Sequence, residues 1–185
     1  MDLRKLAPGL LLAMPQLPDP NFERSVVLMV EHGDEGSWGL IVNRPTELAV
    51  SEVMSELEID WAGPVDDVVW QGGPVEPFRG CVLHPTGLAQ SNPEPQEILP
   101  GISLSTLPEQ LQLLAGNPDP ALRFILGYAG WGAGQLEVEM TAGAWLLAPA
   151  SPELVFAPEP DAMWSAAIAS LGIDPTSLVP AEGVH

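Results

Sequence analysis

Apolar positions along the chain follow two rhythms, and these predict its elements. Continuous apolar runs flanked by proline or glycine read as strands covered on both faces: Leu10 to Met14, then Ser25 to Glu31 with Val26-Val27-Leu28-Met29-Val30 at its centre. His32 to Gly36 reads as a hairpin-like loop, Trp38 to Asn43 as the returning strand, and Pro45 as its end. Val50, Val53, Met54 and Leu57 fall at i, i+3, i+4 and i+7, which predicts an amphipathic helix packed on the sheet. Short strands follow at Val68 to Trp70 and Cys81 to Leu83. They are joined through Gly72-Gly73-Pro74, where a side chain would obstruct the backbone path.

The second half is punctuated more heavily. Thr86 to Pro100, rich in proline, glycine and polar residues, reads as a mobile loop. Ile102 to Leu104 reads as a strand, and Thr106 with Glu109 has capping-box spacing for a helix to Ala115, stopped by Gly116-Asn117-Pro118. Arg123 to Leu126 predicts a buried strand closed by Gly127. Gly130, Gly132 and Gly134 then predict a sharp turn into a helix over Gln135 to Thr141. Ala144 to Leu147 and Leu154 to Phe156 read as strands. Trp164, Ile168 and Leu171 share one face of a last helix ended by Gly172, and Asp174-Pro175 caps a final turn. A further single turn is predicted after the proline-rich stretch through Pro15, Pro18 and Pro20, with Asp19 as its cap. Many short strands with three or four helices point to one mixed α/β (α+β) domain over residues 1–185.

Charge narrows the partners. With 25 acids against 6 bases, a net charge of -19 repels phosphate backbones and anionic lipid heads, which argues against direct nucleic acid or membrane binding. A single cysteine, Cys81, leaves no disulfide framework. The run Leu10 to Met14, preceded by Asp2, Arg4 and Lys5, is too short for a signal-peptide core, so a cytoplasmic location is expected.

Little of the usual chemistry is available. The only lysine is Lys5, which rules out a Walker A lysine, and Gly130 to Gln135 lacks the third glycine of a dinucleotide fingerprint. Amides at Gly132 to Gln135 could cradle an anion, but Glu137 and Glu139 already occupy that end of the helix. Gly101-Ile102-Ser103-Leu104-Ser105 misses the nucleophile-elbow motif at its last residue. His32, His84, Cys81, Glu31 and Asp34 form no metal-ligand spacing, and no metal or cofactor is expected.

The scarce arginines are the sharper signal. Arg24, Arg44 and Arg79, with Asn21, Asn43 and the amides of Gly72 and Gly73, are the residues expected to line a recess for a carboxylate, a phosphate or an acidic peptide end. The competing expectation is that each arginine fixes a loop by forking onto carbonyls or carboxylates. Trp61, Trp70, Trp131, Phe22 and Phe78 lie at loop edges, where aromatics anchor partners unless the core claims them.

DPNFERSVV (Asp19 to Val27), LIVNRP (Leu40 to Pro45), GGPV (Gly72 to Val75), RGCVLH (Arg79 to His84), GYAGWGAGQLE (Gly127 to Glu137) and LGIDP (Leu171 to Pro175) together resemble the YqgE/AlgH family of small bacterial proteins. The resemblance runs over nearly the whole chain and implies a mixed α/β domain whose bifurcated β-sheet curls into a barrel-like shape. Cys81 stands where family members more often have an aromatic residue, and the tail is more acidic and proline-rich. Members of that family are labelled transcriptional regulators, through one linked to alginate production. An acidic chain without a basic helix would exert such an effect through a protein or a small anionic ligand. The reading is therefore a non-enzymatic regulatory or interaction module, with a small hydrolase or transferase using His32 or His84 as the alternative.

Overall fold

The computed structural model describes residues 5–17 and 19–178. Pro18 of the proline-rich turn, Asp2, Arg4 and the tail lie outside the described residues. In chain order the elements are β1 (Gly9–Ala13), β2 (Val26–Gly33), β3 (Gly36–Ile41), β4 (Pro45–Ala49), α1 (Val50–Glu56), β5 (Val68–Gln71), β6 (Val75–Pro85), β7 (Gln96–Leu99) and β8 (Ile102–Ser105). They continue with α2 (Pro108–Gly116), β9 (Arg123–Gly132), α3 (Gln135–Thr141), β10 (Trp145–Ala148), α4 (Pro152–Val155) and α5 (Pro160–Ser170), with 3₁₀ turns at Pro20–Phe22 and Pro175–Leu178.

The strands join in one 10-stranded sheet, ordered β10-β1-β2-β3-β9-β6-β8-β7, with β5 on β9 and β4 on β5. Only the β5–β9 pair is parallel. The sheet curls into a half-barrel and forks at β9. Ile125 pairs with both Trp70 and Cys81, whereas Trp131, further along the same strand, pairs with Ser37. Gly127 sits at the fork with φ +80°, and a Cβ there would lie 2.5 Å from the Gly73 carbonyl oxygen. Gly73 is as tightly placed, since its own Cβ would stand 2.2 Å from the Tyr128 carbonyl. The obstruction expected at Gly72-Gly73 is therefore the backbone of β9.

Alternation explains the long apolar runs. Leu10, Leu12, Val26, Leu28 and Leu40 face α5 through Met163, Trp164 and Ile168. Leu11, Val27, Met29 and Ile41 face α3 through Leu136 and Met140, with Trp131 and Trp145 between them. A third cluster joins Val50 and Met54 of α1 and Leu114 of α2 to Val69, Val82 and Phe124.

Several expectations need correction. The segment Gly130 to Gly132 belongs to β9, paired with β3, instead of forming a turn, and Gly134, at φ +75°, alone turns the chain into α3. Leu154 to Phe156 is not a strand: Ser151 Oγ accepts from the Leu154 amide at 3.3 Å and Pro152 opens α4. That helix brings the α-helices to five against the three or four expected. Beyond the expected end of β3, Pro45 opens a strand that was not expected, β4 on β5, as an edge strand permits. The expected loop Thr86 to Pro100 contains β7 and is held where the Gln110 amide group donates to the Pro93 carbonyl at 3.1 Å. That same Gln110 caps α2, its Oε1 accepting from the amides of Thr106 and Leu107 at 3.1 and 3.3 Å, so Glu109 is not the capping residue.

Candidate functional site

Asn21, Arg24, Asn43 and Arg44 meet at one corner of the sheet, where the side chains of Asn43 and Arg44 are turned on the backbone. Asp19 caps the 3₁₀ turn by accepting from the Asn21 amide at 2.9 Å. Asn43 accepts from the Val26 amide and donates to the Arg24 carbonyl, each at 3.0 Å. Arg44 forks onto the carbonyls of Asn21 and Glu23, the second at 2.8 Å. Burial lowers the Arg44 pKa from its usual value, against the pull of the Glu23 and Asp19 carboxylates. Arg24 has φ +52° and lays its guanidinium 5.1 Å from the Trp164 ring centre.

Gly72 adjoins this corner with both backbone groups in use: its amide donates to the Leu126 carbonyl and its carbonyl accepts from Ile41, each at 2.8 Å. Arg79 stands apart. Its side chain is 70% exposed, 3.1 Å from Glu76 Oε2 and 6.0 Å from the Tyr128 ring centre. The cleft that Arg79 lines includes neither Arg24 nor Arg44.

The two candidate histidines, His32 and His84, are integrated into the fold. His84 is fully buried, donating through Nδ1 to the Pro85 carbonyl and accepting at Nε2 from Ser105 Oγ, each at 2.8 Å. Burial lowers its pKa and keeps the ring neutral, with the Pro85 hydrogen bond pulling the other way. His32 is 3% exposed, with Nδ1 2.5 Å from Ser37 Oγ and Nε2 3.0 Å from Glu137 Oε1. Ser103 is buried and bonded to Thr86, and the Gly132 amide is taken by Gln135 Oε1 at 3.0 Å, so the predicted anion cradle is filled by its own side chain. Among the described residues no group of three or more His, Cys, Asp and Glu converges as metal ligands. Nor is any described helix long and apolar enough to cross a membrane.

The open surface lies around β6. Register shifts between Val75 and Gly80, and Glu76 takes φ +44°, a left-handed conformation unfavourable without glycine, so Glu76 to Arg79 bulges from the sheet. Phe78 at its tip is 94% exposed. On one side a cleft of about 720 Å³ has Trp38, Tyr128 and Arg79 in its walls and the acids Glu31, Asp34 and Glu35 at the β2–β3 hairpin. On the other side lies a groove of about 700 Å³, lined by Val53 of α1, Leu57 just beyond that helix, and Pro108 and Leu111 of α2, with Phe124 and Leu126 in its floor. Leu57, expected to pack on the sheet, is instead 54% exposed beside this groove. Cys81 borders both hollows, but burial pushes its thiol up to about 12, despite Arg79, so it stays protonated and is no nucleophile at neutral pH.

Sequence reasoning grouped Phe78 with four other loop-edge aromatics, and its neighbours held the distinguishing signal. On a strand the same-face neighbours of Phe78 are Glu76 and Gly80, neither of them apolar, so no buried strand face was available to receive the ring.

Comparisons with known proteins agree with this architecture. A family model described as AlgH-like matches residues 10–176. A protein of Myxococcus xanthus named "UPF0301 protein" is 47% identical over 184 residues, covering 99% of this chain and 100% of that one. The "UPF0301 protein AlgH" of Pseudomonas aeruginosa is 42% identical over 182 residues, covering 95% and 93%. The solution structure of AlgH from Pseudomonas aeruginosa superposes with a TM-score of 0.77 at 38% identity, over 100% of this chain and 98% of that one. A crystal structure from Corynebacterium diphtheriae gives a TM-score of 0.70 at 26% identity, over 91% and 88%. By sequence over nearly its full length and by the course of its forked sheet, the chain belongs to the AlgH-like family.

Proposed function

We propose that the protein is a regulatory or interaction module that receives a protein partner in the apolar groove beside Phe78. The observation that carries this reading is a phenylalanine 94% exposed at the lip of a groove walled by apolar side chains. Burying such a ring is worth about 1.5–3 kcal/mol, and the left-handed Glu76 that presents it adds a backbone cost of about 1–3 kcal/mol. An exposed aromatic raised on an unfavourable backbone does nothing for the isolated fold, whereas a partner that covers it gains the burial of the ring. The net charge of -19 directs any regulatory effect through protein contact instead of through nucleic acid. In this reading Asn21, Arg24, Asn43 and Arg44 fix the turn at the sheet corner, Arg79 borders the docking surface, and the protein works in the cytoplasm.

The test places a photoreactive phenylalanine analogue at position 78 in cells. A discrete protein adduct that disappears when Leu57→Glu is added is the expected result. Absence of any adduct, or adducts indifferent to Leu57→Glu, contradicts the proposal.

A second reading, hydrolysis of an ester or amide, has one observation behind it. Ser37, His32 and Glu137 form a hydrogen-bonded Ser–His–carboxylate chain at 2.5 and 3.0 Å, the arrangement that activates a serine. A fluorophosphonate that labels the protein but not its Ser37→Ala variant is the signature of that activity, and an unlabelled protein removes it.

A further inference from the structure

Resting on the docking reading above, we infer that the occupant of the groove is a cationic amphipathic helix of a partner protein. Two features of the groove select it. The first is backbone chemistry: a bound strand needs a free strand edge to pair with, and the floor offers none. Ile125 of β9 is paired on one side with Trp70 of β5 and on the other with Cys81 of β6. Beyond them β5 is paired with β4, and β6 with β8 from Val82 to Pro85. A segment lying over this floor must therefore satisfy its own amides and carbonyls, which a helix does internally and an extended chain does not. Walls formed by two helices, α1 and α2, leave a channel in which apolar side chains at i, i+3, i+4 and i+7 of a third helix can lie.

The second feature is charge. The charged side chains lining the groove are Glu52 and Glu56, both exposed and without an ion pair among the described residues. Placed i and i+4 on α1, they stand one turn apart along one wall and present two carboxylates at the spacing of two basic residues on a facing helix. Arg79 does not offset them, because its guanidinium lies toward Tyr128 in the neighbouring cleft. The net charge of -19 extends the attraction beyond contact distance, and it disfavours a second copy of this chain as the occupant.

The test is a displayed library of helical peptides of about 15 residues, long enough to hold a helix. Apolar residues are fixed at i, i+3, i+4 and i+7 and the flanking positions are randomised. Selection is against the full chain, with counter-selection against Leu57→Glu. Lysine and arginine enriched at the flanks of the selected helices is the expected result. So is a roughly tenfold loss of affinity for those peptides in the Glu52→Gln, Glu56→Gln double variant, which corresponds to the loss of about 1.4 kcal/mol of pairing. Selected flanks that are neutral or acidic, or a basic preference that survives in the double variant, overturn the inference and leave the docking reading intact. A library yielding no groove-dependent binder, alongside a discrete adduct at position 78, rejects the helix while keeping the groove. No binder and no adduct together reject both.

Discussion

The corner at Arg44 and the bulge at Phe78 both interrupt apolar sequence with charge and proline, and the structure uses them in opposite ways. At the corner, polar side chains turn inward: Asn43 and Arg44 take up the carbonyls and amides of the chain around Asn21 to Val26. At the bulge, an apolar side chain turns outward and leaves its ring in water. A rare charge on a strongly acidic chain thus marks a place where backbone groups need partners, whereas an aromatic stranded among polar residues marks a surface that needs one. The contrast is one of satisfaction: Asn43 and Arg44 find their partners within the chain, and the Phe78 ring does not.

The most severe way to break this contrast is at the fork between the two regions. Gly73→Ala would place a Cβ 2.2 Å from the Tyr128 carbonyl and force β9 away from the segment joining β5 to β6. A loss of about 3 kcal/mol or more is expected, seen in chemical denaturation as a lower midpoint or as failure to fold.

A paired measurement sharpens the contrast directly. Arg44→Ala removes two charge-assisted hydrogen bonds to the turn carbonyls and should cost about 2–3 kcal/mol. Phe78→Ala should change stability by less than about 0.5 kcal/mol. Equal losses in the two variants would erase the distinction between a fixing site and a docking site.

The smallest effect lies within β6 itself, whose far end is as buried as its near end is exposed. The folded state holds His84 neutral, with its pKa below the ordinary value, so below about pH 6.5 the unfolded chain binds the proton more readily. Stability is therefore fully present above that pH and falls as the pH drops toward the lowered folded value, at no more than about 1.4 kcal/mol per pH unit for this group. Denaturation midpoints measured from pH 7 to pH 5 should decline, and the decline should flatten in His84→Asn.

Much of the fold could be read along the chain where apolar periodicity was long and bounded. The runs Leu10 to Met14 and Val26 to Val30 became β1 and β2, and the Trp164–Ile168 face became α5. The Gly72-Gly73 obstruction was also readable, because paired glycines before a proline have few other uses. Gly130 and Gly132 point equally to a turn or to a strand, and only their pairing with Trp38 and Gly36 of β3 decides between them. A Cβ on Gly36 of β3 would lie 2.7 Å from the Trp131 carbonyl, a closeness that single-chain patterns do not encode. Leu154 to Phe156 was lost to a similar ambiguity, since three apolar residues fit either period and Ser151 with Pro152 decided for helix. At the site, the arginines drew notice through rarity, but where their guanidinium groups point is set by carbonyls and rings distant in sequence. Phe78 lacked any pattern of its own, and that lack was its signal.

The forked strand also bears on how the molecule is made. β1 to β3 and β4 to β8 all precede residue 123, and the strand pairing between the two halves of the sheet runs through β9. As the chain leaves the ribosome, strands from both halves must wait with an open edge until the same ten residues, Arg123–Gly132, arrive to close them together. Assembly is thereby tied to the late synthesis of a single segment, and a chain truncated before Gly132 would leave both halves exposed to association with other chains.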